Sequence, residues 1–241
     1  MDFELNREQK EIQKAVRDFV KGEFKKDIIE TLIEEHAYPV KIWKKAAELG
    51  FVGIHFPEDY SGMGLSYTAE VNFKDVRVPI TNLVGKENKG FYQVLEFFDE
   101  SRILVAAQAL GTAQGAFDRA LAYVKQREQF GKKIAQFQIT QHKLADMATK
   151  IETARLLTYK AAWNFDQGRI DPKLTSMAKM YAARTSVEVC DEAIQLLGGY
   201  GYMLEYEVER FYRDAKITEI WEGTKEIQKN TIASTLIGKL K

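Results

Sequence analysis

The chain has 241 residues, and its 35 Lys and Arg residues balance its 35 Asp and Glu residues, so the formal net charge at pH 7 is zero. This balance predicts no general attraction to nucleic acid or to an anionic membrane surface. The single cysteine, Cys190, excludes an intrachain disulfide and favours a reducing compartment. No apolar run approaches the length of a membrane span and no apolar signal region opens the sequence, so we expect a cytoplasmic protein.

The N-terminal region predicts helices followed by a loop. Asn6 can cap the first helix, with Gln9 three residues later reaching back in a capping box, and apolar residues then follow at the helical period. A second helix is expected at residues 40–49, where Gly50 ends it. Residues 51–56 have extended character, and a glycine-containing loop comes after them.

Residues 69–79 predict a strand, because apolar and polar side chains alternate along them. The alternation changes phase at Lys74-Asp75, which predicts a kink there. A single strand cannot satisfy its own backbone donors and acceptors, and only residues 51–56 offer it a partner. We therefore expect a remnant hairpin or an irregular link in this part of the chain.

From Gly90 onward the sequence predicts helices almost throughout. Asp171 followed by Pro172 is a strong start signal, because an N-cap residue precedes a proline at the first helical position. Long helices joined by short loops predict an antiparallel bundle. The four helices are expected at residues 91–127, 140–165, 172–198 and 224–238.

The fold class is therefore expected to be mainly α, with little β structure. It consists of a short N-terminal helical region and a C-terminal antiparallel four-helix bundle. We expect the helical region at residues 1–67, a remnant strand or linker at 68–85 and the bundle at 86–241.

Glu222 is the first candidate for chemistry, standing between Trp221 and Gly223. A carboxylate can remove a weakly acidic proton if desolvation raises its pKa towards the working pH. Gly223 would let a carbonyl approach the backbone closely, and Thr224 can cap the next helix. The alternative is a glutamate that only stabilises a helix N-terminus, by about 0.3–1 kcal/mol.

Two further motifs also allow a simple structural interpretation. Asp99 and Arg102 lie one helical turn apart, where a solvated ion pair contributes only a few tenths of a kcal/mol. The glycines after Gln195 could be a plain helix stop. In a separate motif, Arg127 can bridge a pyrophosphate and Phe130 offers a stacking face. The three histidines have no metal-ligand spacing, so no metal site is expected.

Taken together, these motifs resemble those of the acyl-CoA dehydrogenase family in order and spacing. Residues 1–67 resemble the family's N-terminal helical start, including Phe-Pro-Glu-Asp-Tyr-Ser-Gly-Met-Gly at 56–64. The C-terminal motifs are Phe-Asp-x-x-Arg at 98–102, Arg-Glu-Gln-Phe-Gly at 127–131, Gln-Leu-Leu-Gly-Gly at 195–199 and Trp-Glu-Gly-Thr at 221–224. The resemblance implies a flavoenzyme that uses FAD to oxidise an acyl-CoA thioester at Cα–Cβ.

The resemblance also implies a role for each matching residue. Glu222 would be the base that removes the α-proton, while the flavin accepts the β-hydride. The CoA substrate would be held by Phe98, Asp99, Arg102, Trp221 and Gly223; Trp221 replaces the family's usual tyrosine. FAD of a neighbouring subunit would be bound by Arg127, Gln129 and Phe130. The same dinucleotide would be bound from across the interface by Gln195, Gly198 and Gly199. Thr224 and Glu226 would also touch the cofactor.

The resemblance breaks after Tyr67, where residues 68–79 resemble the final strand of the family's β-rich middle domain. A piece of about 100–150 residues is missing, and with it one wall of the flavin cleft. The first hypothesis is an FAD-dependent dehydrogenase that forms a homodimer or homotetramer and passes electrons to an electron-transfer flavoprotein. The second is a non-catalytic helical oligomer of the same lineage, whose middle domain was deleted naturally or by engineering. A third hypothesis is a CoA-binding module without flavin.

Overall fold

The computed structural model describes residues 5–34, 39–49, 51 and 72–239. The chain divides into two compact units, Met1–Val78 and Pro79–Lys241. The loop motif at residues 56–64 and all of the extended segment except Phe51 lie outside the described residues.

The described part of the first unit is helical. Its helices are α1, Arg7–Glu23, α2, Lys26–Glu34, and α3, Val40–Glu48. The predicted capping box of α1 is confirmed, because the Asn6 side chain accepts from the Gln9 N–H at 2.8 Å and the Gln9 side chain accepts from the Asn6 N–H at 2.9 Å. Helix α2 was not predicted, and its 9 residues make only about two and a half turns.

The strand predicted at residues 69–79 is wrong for the part that the structure describes. Residues 72–79 have no regular secondary structure, although the predicted kink is present as a bend at Lys74 and Asp75. Strand hydrogen bonds need a neighbouring strand, and none lies beside this segment within the described residues. Phe73, which would have faced a sheet's core, is 80% exposed.

The second unit is mainly α, as predicted. The four predicted helices are α4, Gly90–Gln126, α5, Gln138–Asp166, α6, Pro172–Leu197, and α8, Lys225–Ile237. An additional short helix, α7, Val208–Thr218, comes between α6 and α8. The β structure of the described residues is one two-stranded hairpin, in which β1, Glu128–Gln129, pairs antiparallel with β2, Lys132–Lys133.

Helix α6 is the centre of the second unit, since it packs against α4, α5, α7 and α8. Its start follows the predicted signal, with the Asp171 side chain accepting from the N–H groups of Lys173 and Leu174. Small side chains let the helices approach closely, and five alanines on one face of α4 are fully buried: Ala106, Ala109, Ala113, Ala116 and Ala120. This packing fixes the first halves of α4 and α6 beside the segment that joins α7 to α8.

Candidate active site

The predicted base lies on a sharp turn between α7 and α8. Glu222 has φ 54° and Gly223 has φ 95°, so two successive residues are in the left-handed region. Such a conformation costs an L-residue about 1–2 kcal/mol and persists only when the surroundings enforce it. A Cβ on Gly223 would lie 2.9 Å from Gln228 Nε2, which explains why the second position is a glycine.

Three buried side chains hold the carbonyl groups of this turn. Gln228 Nε2 donates to the carbonyl of Glu222 at 3.1 Å and to that of Gly223 at 2.9 Å. Lys179 Nζ donates to the Gly223 carbonyl at 2.7 Å, and Arg102 Nε donates to the Glu222 carbonyl at 3.5 Å. The donors come from α8, α6 and α4, so three helices determine the direction of two successive peptide groups.

The Glu222 carboxylate is half-buried and has a partner on α4. The Ser101 hydroxyl donates to its Oε2, and Ser101 is itself buried. This hydrogen bond engages one carboxylate oxygen and restrains the rotation of the carboxylate. A carboxylate held in this way presents its remaining lone pairs in one direction.

The predicted pair of Asp99 and Arg102 lies in the same place, but it is not a solvated pair. Arg102 is only 4% exposed, and its Nη1 donates to Asp99 Oδ1 at 2.9 Å. Burial lowers the pKa of Arg102, and the carboxylates of Asp99 and Glu222 oppose this effect. Burial raises the pKa of Asp99, and Arg102 opposes that effect. The solvated interpretation is therefore wrong, and Phe98, whose ring lies 6.0 Å from the guanidinium, completes this group.

Lys179 is a buried cation that the sequence analysis missed. Its side chain is 0% exposed, and burial lowers its pKa to about 8, an effect that Arg102 reinforces and that Glu222 and Glu219 oppose. A lysine is almost never fully buried without a partner. The available signal was its position on the face of α6 that also carries Thr175, Ala178 and Ala182, all buried.

Two buried polar atoms beside the turn have no hydrogen-bond partner within the described residues: Trp221 Nε1 and Gln228 Oε1. One is a donor and the other an acceptor, so they leave unused hydrogen-bonding capacity next to Glu222. Thr224 precedes α8, and Glu226 lies in its first turn. The pKa of Glu226 is lowered, chiefly because its own backbone N–H hydrogen-bonds to the carboxylate.

A second set of predicted residues lies at the other end of α4. The Arg127 guanidinium lies over the Tyr200 ring, 5.4 Å from its centroid, and that ring also stacks against Tyr206. Phe130 is 93% exposed and has φ 53° in the turn between β1 and β2. Gln129, Gln195, Gly198 and Gly199 are exposed as well. This end therefore presents a cation, aromatic faces and bare backbone to solvent.

The structure thus gathers the predicted site residues into two separate sets. Arg102 and Arg127 are separated by most of α4, about 37 Å at a rise of about 1.5 Å per residue. The glycines after α6 lie with Arg127, since Tyr200 follows them directly, whereas Thr224 and Glu226 lie with Glu222. Within the residues described, no cluster of three or more potential metal ligands occurs and no helix is suited to crossing a membrane.

Family models match both parts of the chain. The one described as "Acyl-CoA dehydrogenase, C-terminal domain" matches residues 88–237, and the one described as "Acyl-CoA dehydrogenase, N-terminal domain" matches residues 6–73. Residues 74–87 are all that lies between the two matched ranges.

Curated relatives and solved structures agree with these matches. Cyclohexane-1-carbonyl-CoA dehydrogenase of Geobacter metallireducens is 48% identical over 71% of this chain and 45% of its own length. Short-chain-specific acyl-CoA dehydrogenase of Clostridium acetobutylicum is 46% identical over 78% of this chain and 50% of its own. Butyryl-CoA dehydrogenase of Megasphaera elsdenii superimposes with a TM-score of 0.67 at 47% identity, covering 68% of this chain and 43% of that one.

A further solved structure contains a flavin. It is a glutaryl-CoA dehydrogenase of Mycobacterium smegmatis in complex with FADH2, with a TM-score of 0.59 at 31% identity, covering 61% of this chain and 38% of that one. The chain spans about half the length of the curated relatives it matches.

Proposed function

The chain belongs to the acyl-CoA dehydrogenase family, and from this premise we propose that it serves the α,β-dehydrogenation of an acyl-CoA thioester. The observation that carries the proposal is the strained turn at Glu222, which donors from three helices hold in place. Strain that is enforced from several sides is typical of functional sites, where it orients a reacting group.

In this proposal Glu222 is the general base that removes the α-proton. The hydroxyl of Ser101 donates to Oε2 and leaves the other carboxylate oxygen, Oε1, to receive the proton. A positioned base of this kind contributes typically about 10²–10⁴-fold to a rate. Trp221, Phe98 and Asp99, all half-buried around the turn, are the side chains that we propose to contact the acyl chain and the pantetheine.

The backbone of the same turn supports binding of the thioester carbonyl. In a trans peptide the N–H points opposite to the C=O, and the carbonyls of Glu222 and Gly223 face interior donors. The N–H groups of Gly223 and Thr224 consequently point away from those donors. N–H groups aimed at a carbonyl oxygen stabilise the negative charge that develops on it when the α-proton leaves.

The exposed end of the bundle around Arg127 offers groups that suit FAD. Arg127 offers a cation, while the neighbouring Tyr200 ring and exposed Phe130 offer aromatic faces, and Gly198 and Gly199 offer exposed backbone. We propose that Arg127, Gln129, Phe130, Gln195, Gly198 and Gly199 hold the dinucleotide at one end and that Thr224 and Glu226 touch it at the other. When bound, FAD supplies the acceptor for the β-hydride.

The distance between the two sets supports an oligomer. Residues about 37 Å apart on one helix would reach one dinucleotide most simply if each set came from a different subunit, so we propose a homodimer or homotetramer. Electrons would leave to an electron-transfer flavoprotein. A matched structure is described as an "electron transferring flavoprotein of Acidaminococcus fermentans", and one relative as a "Caffeyl-CoA reductase-Etf complex subunit".

A second candidate function is a non-catalytic helical oligomer of the same family. It is favoured by apolar side chains left exposed at the start of α4. Phe91 is 72% exposed, Tyr92 61% and Phe97 56%. A bundle that has lost the neighbour of this face could retain its packing without retaining a flavin.

The visible spectrum of the purified protein distinguishes these functions. We expect a bound flavin whose absorbance bleaches when an acyl-CoA is added, and we expect Glu222→Gln to keep the flavin but abolish the bleaching. Glu48→Gln, at an exposed position in the other unit, is the matched control and should behave as wild type. A colourless, folded oligomer would refute the proposal, and acyl-CoA binding by a colourless protein would indicate a CoA-binding module.

A further inference from the structure

Lys179 is a buried cation that the proposed reaction does not use. Its Nζ donates to the carbonyl of Gly223 at 2.7 Å, and its side chain is 0% exposed. Removing an ammonium group from water costs several kcal/mol. A helix core that contains mainly alanine, serine and threonine could accept a methionine or leucine at this position more cheaply, so packing alone does not explain a lysine.

The atoms that converge on this carbonyl indicate what the lysine does. Gln228 Nε2 reaches the same oxygen at 2.9 Å, so a cation from α6 and an amide from α8 hold one peptide group between them. This peptide joins Gly223 to Thr224 and lies one residue beyond the left-handed Glu222. Gln228 Nε2 also donates to the Glu222 carbonyl at 3.1 Å, so the two successive peptide groups share one donor. A rotation of the Gly223–Thr224 peptide would turn the Thr224 N–H and, through Gln228, disturb the peptide that follows Glu222.

We infer that Lys179 is a positioning residue of the site, which acts through the Gly223 carbonyl to aim Glu222 and the N–H groups of the turn. The catalytic part of this inference rests on the proposed function, whereas the part that concerns the direction of the turn does not. Lys179 would touch neither substrate nor cofactor. An uncharged donor could also reach the oxygen, but a hydrogen bond from a charged group is roughly twice as strong as a neutral one.

The charges around Lys179 are compatible with this role. Arg102 faces it from α4, while Glu222 and Glu219 face it from the segment after α7; Gln228, from α8, is neutral. Glu219 is itself held by Lys216 Nζ at 2.5 Å and lies 3.8 Å from Arg184. The two carboxylates therefore support the ammonium group, which works against the effect of burial.

Nuclear magnetic resonance of the wild-type protein tests the inference without any activity. The Thr224 N–H belongs to the peptide whose carbonyl accepts from Lys179, so its chemical shift should follow the ionisation of Lys179, with a midpoint near the pKa of about 8. In Lys179→Met this transition should disappear, while in Lys160→Met, at an exposed position on α5, it should remain. The inference would be overturned if the Thr224 resonance had the same chemical shift and the same pH dependence in Lys179→Met as in the wild type.

Amide hydrogen exchange adds a second measurement. If Lys179 positions the turn, Lys179→Met should speed exchange in residues 221–225 by about tenfold or more, while the denaturant midpoint of the bundle stays the same or rises. Lys179→Arg, which retains a charged donor, should restore part of the protection. Equal protection in Lys179→Met and the wild type would contradict the inference, as would a uniform loss across the bundle.

Kinetics then separates this inference from the proposed function. If the wild type turns over an acyl-CoA, Lys179→Met should lower kcat by up to about 100-fold, as expected for a misplaced reacting group, and change KM less than threefold. An inactive wild type would refute the proposed function. The resonance and exchange measurements would then still test whether Lys179 holds the turn. An active wild type with an unchanged kcat in Lys179→Met would refute the positioning role alone.

Discussion

Replacing Gly223 by alanine should destabilise the turn that carries Glu222. Gly223 has φ 95°, a conformation that side chains rarely adopt, and a Cβ built on it lies 2.9 Å from Gln228 Nε2 and 3.3 Å from Ile227 Cγ2. Gln228 is fully buried and its amide donates to both carbonyls of the turn. The added methyl group must therefore strain the backbone and displace the side chain that holds it.

The magnitude follows from these two effects. Forcing an L-residue into the left-handed region costs about 1–2 kcal/mol. Leaving a buried amide without its acceptors costs about 1–3 kcal/mol. We therefore expect Gly223→Ala to lower the free energy of unfolding by about 2–5 kcal/mol, an effect that is large against the total stability of an ordinary domain.

Urea denaturation followed by circular dichroism measures this loss, and the chain provides a matched control. Gly111 lies within α4, and a Cβ built on it meets no atom within 4 Å. Gly111→Ala should consequently raise the free energy of unfolding by about 0.5–1 kcal/mol, through helix propensity. The reasoning fails if Gly223→Ala unfolds within about 0.5 kcal/mol of the wild type, the range usual for neutral surface changes.

Two further predictions concern buried titratable groups. The pKa of Lys179 is about 8 in the folded chain against an ordinary 10.5, so between these pH values the unfolded chain binds more protons than the folded chain. The free energy of unfolding should therefore rise with pH across this window, by about 1–3 kcal/mol. The test compares the unfolding of the wild type and Lys179→Met at pH 7 and 10, and an equal change with pH in both proteins would contradict the prediction. Burial raises the pKa of Cys190 to about 12, so a disulfide reagent at pH 8 should find no reactive thiol in the native protein and one in urea; rapid native labelling would show that Cys190 is not in the core.

The helices of the bundle could be predicted from the sequence because their signals are local. Asp171 and Pro172 start α6, and Gly198, with φ 62°, follows its last residue. Helix α7 lacks such signals, since Glu207, the residue before it, has φ 62° and makes no side-chain cap. The strand predicted around Phe73 depended on a partner strand, and alternation within one segment says nothing about whether a partner exists.

The candidate site could be predicted only in part, for a related reason. Glu222, Asp99 and Arg102 belong to short motifs, and the structure brings them together. Ser101 and Lys179 were missed because each bonds to the Glu222 turn across a long sequence separation, 121 and 44 residues. Lys179 and Gln228 bond to backbone carbonyls, which every residue has, so neither contact leaves a trace in the pattern of side chains.

Within the described residues, the contacts that aim Glu222 come from the bundle itself. Ser101 and Arg102 lie on α4, Lys179 on α6 and Gln228 on α8, and all four fall within the range 88–237 that matches the family's C-terminal domain. Loss of a middle domain would therefore leave these four groups in place. It would instead remove shielding from water, on which the strength of those interactions depends. The catalytic and non-catalytic candidates consequently share one positioned carboxylate, and they differ in whether a flavin and a dry cleft form beside it.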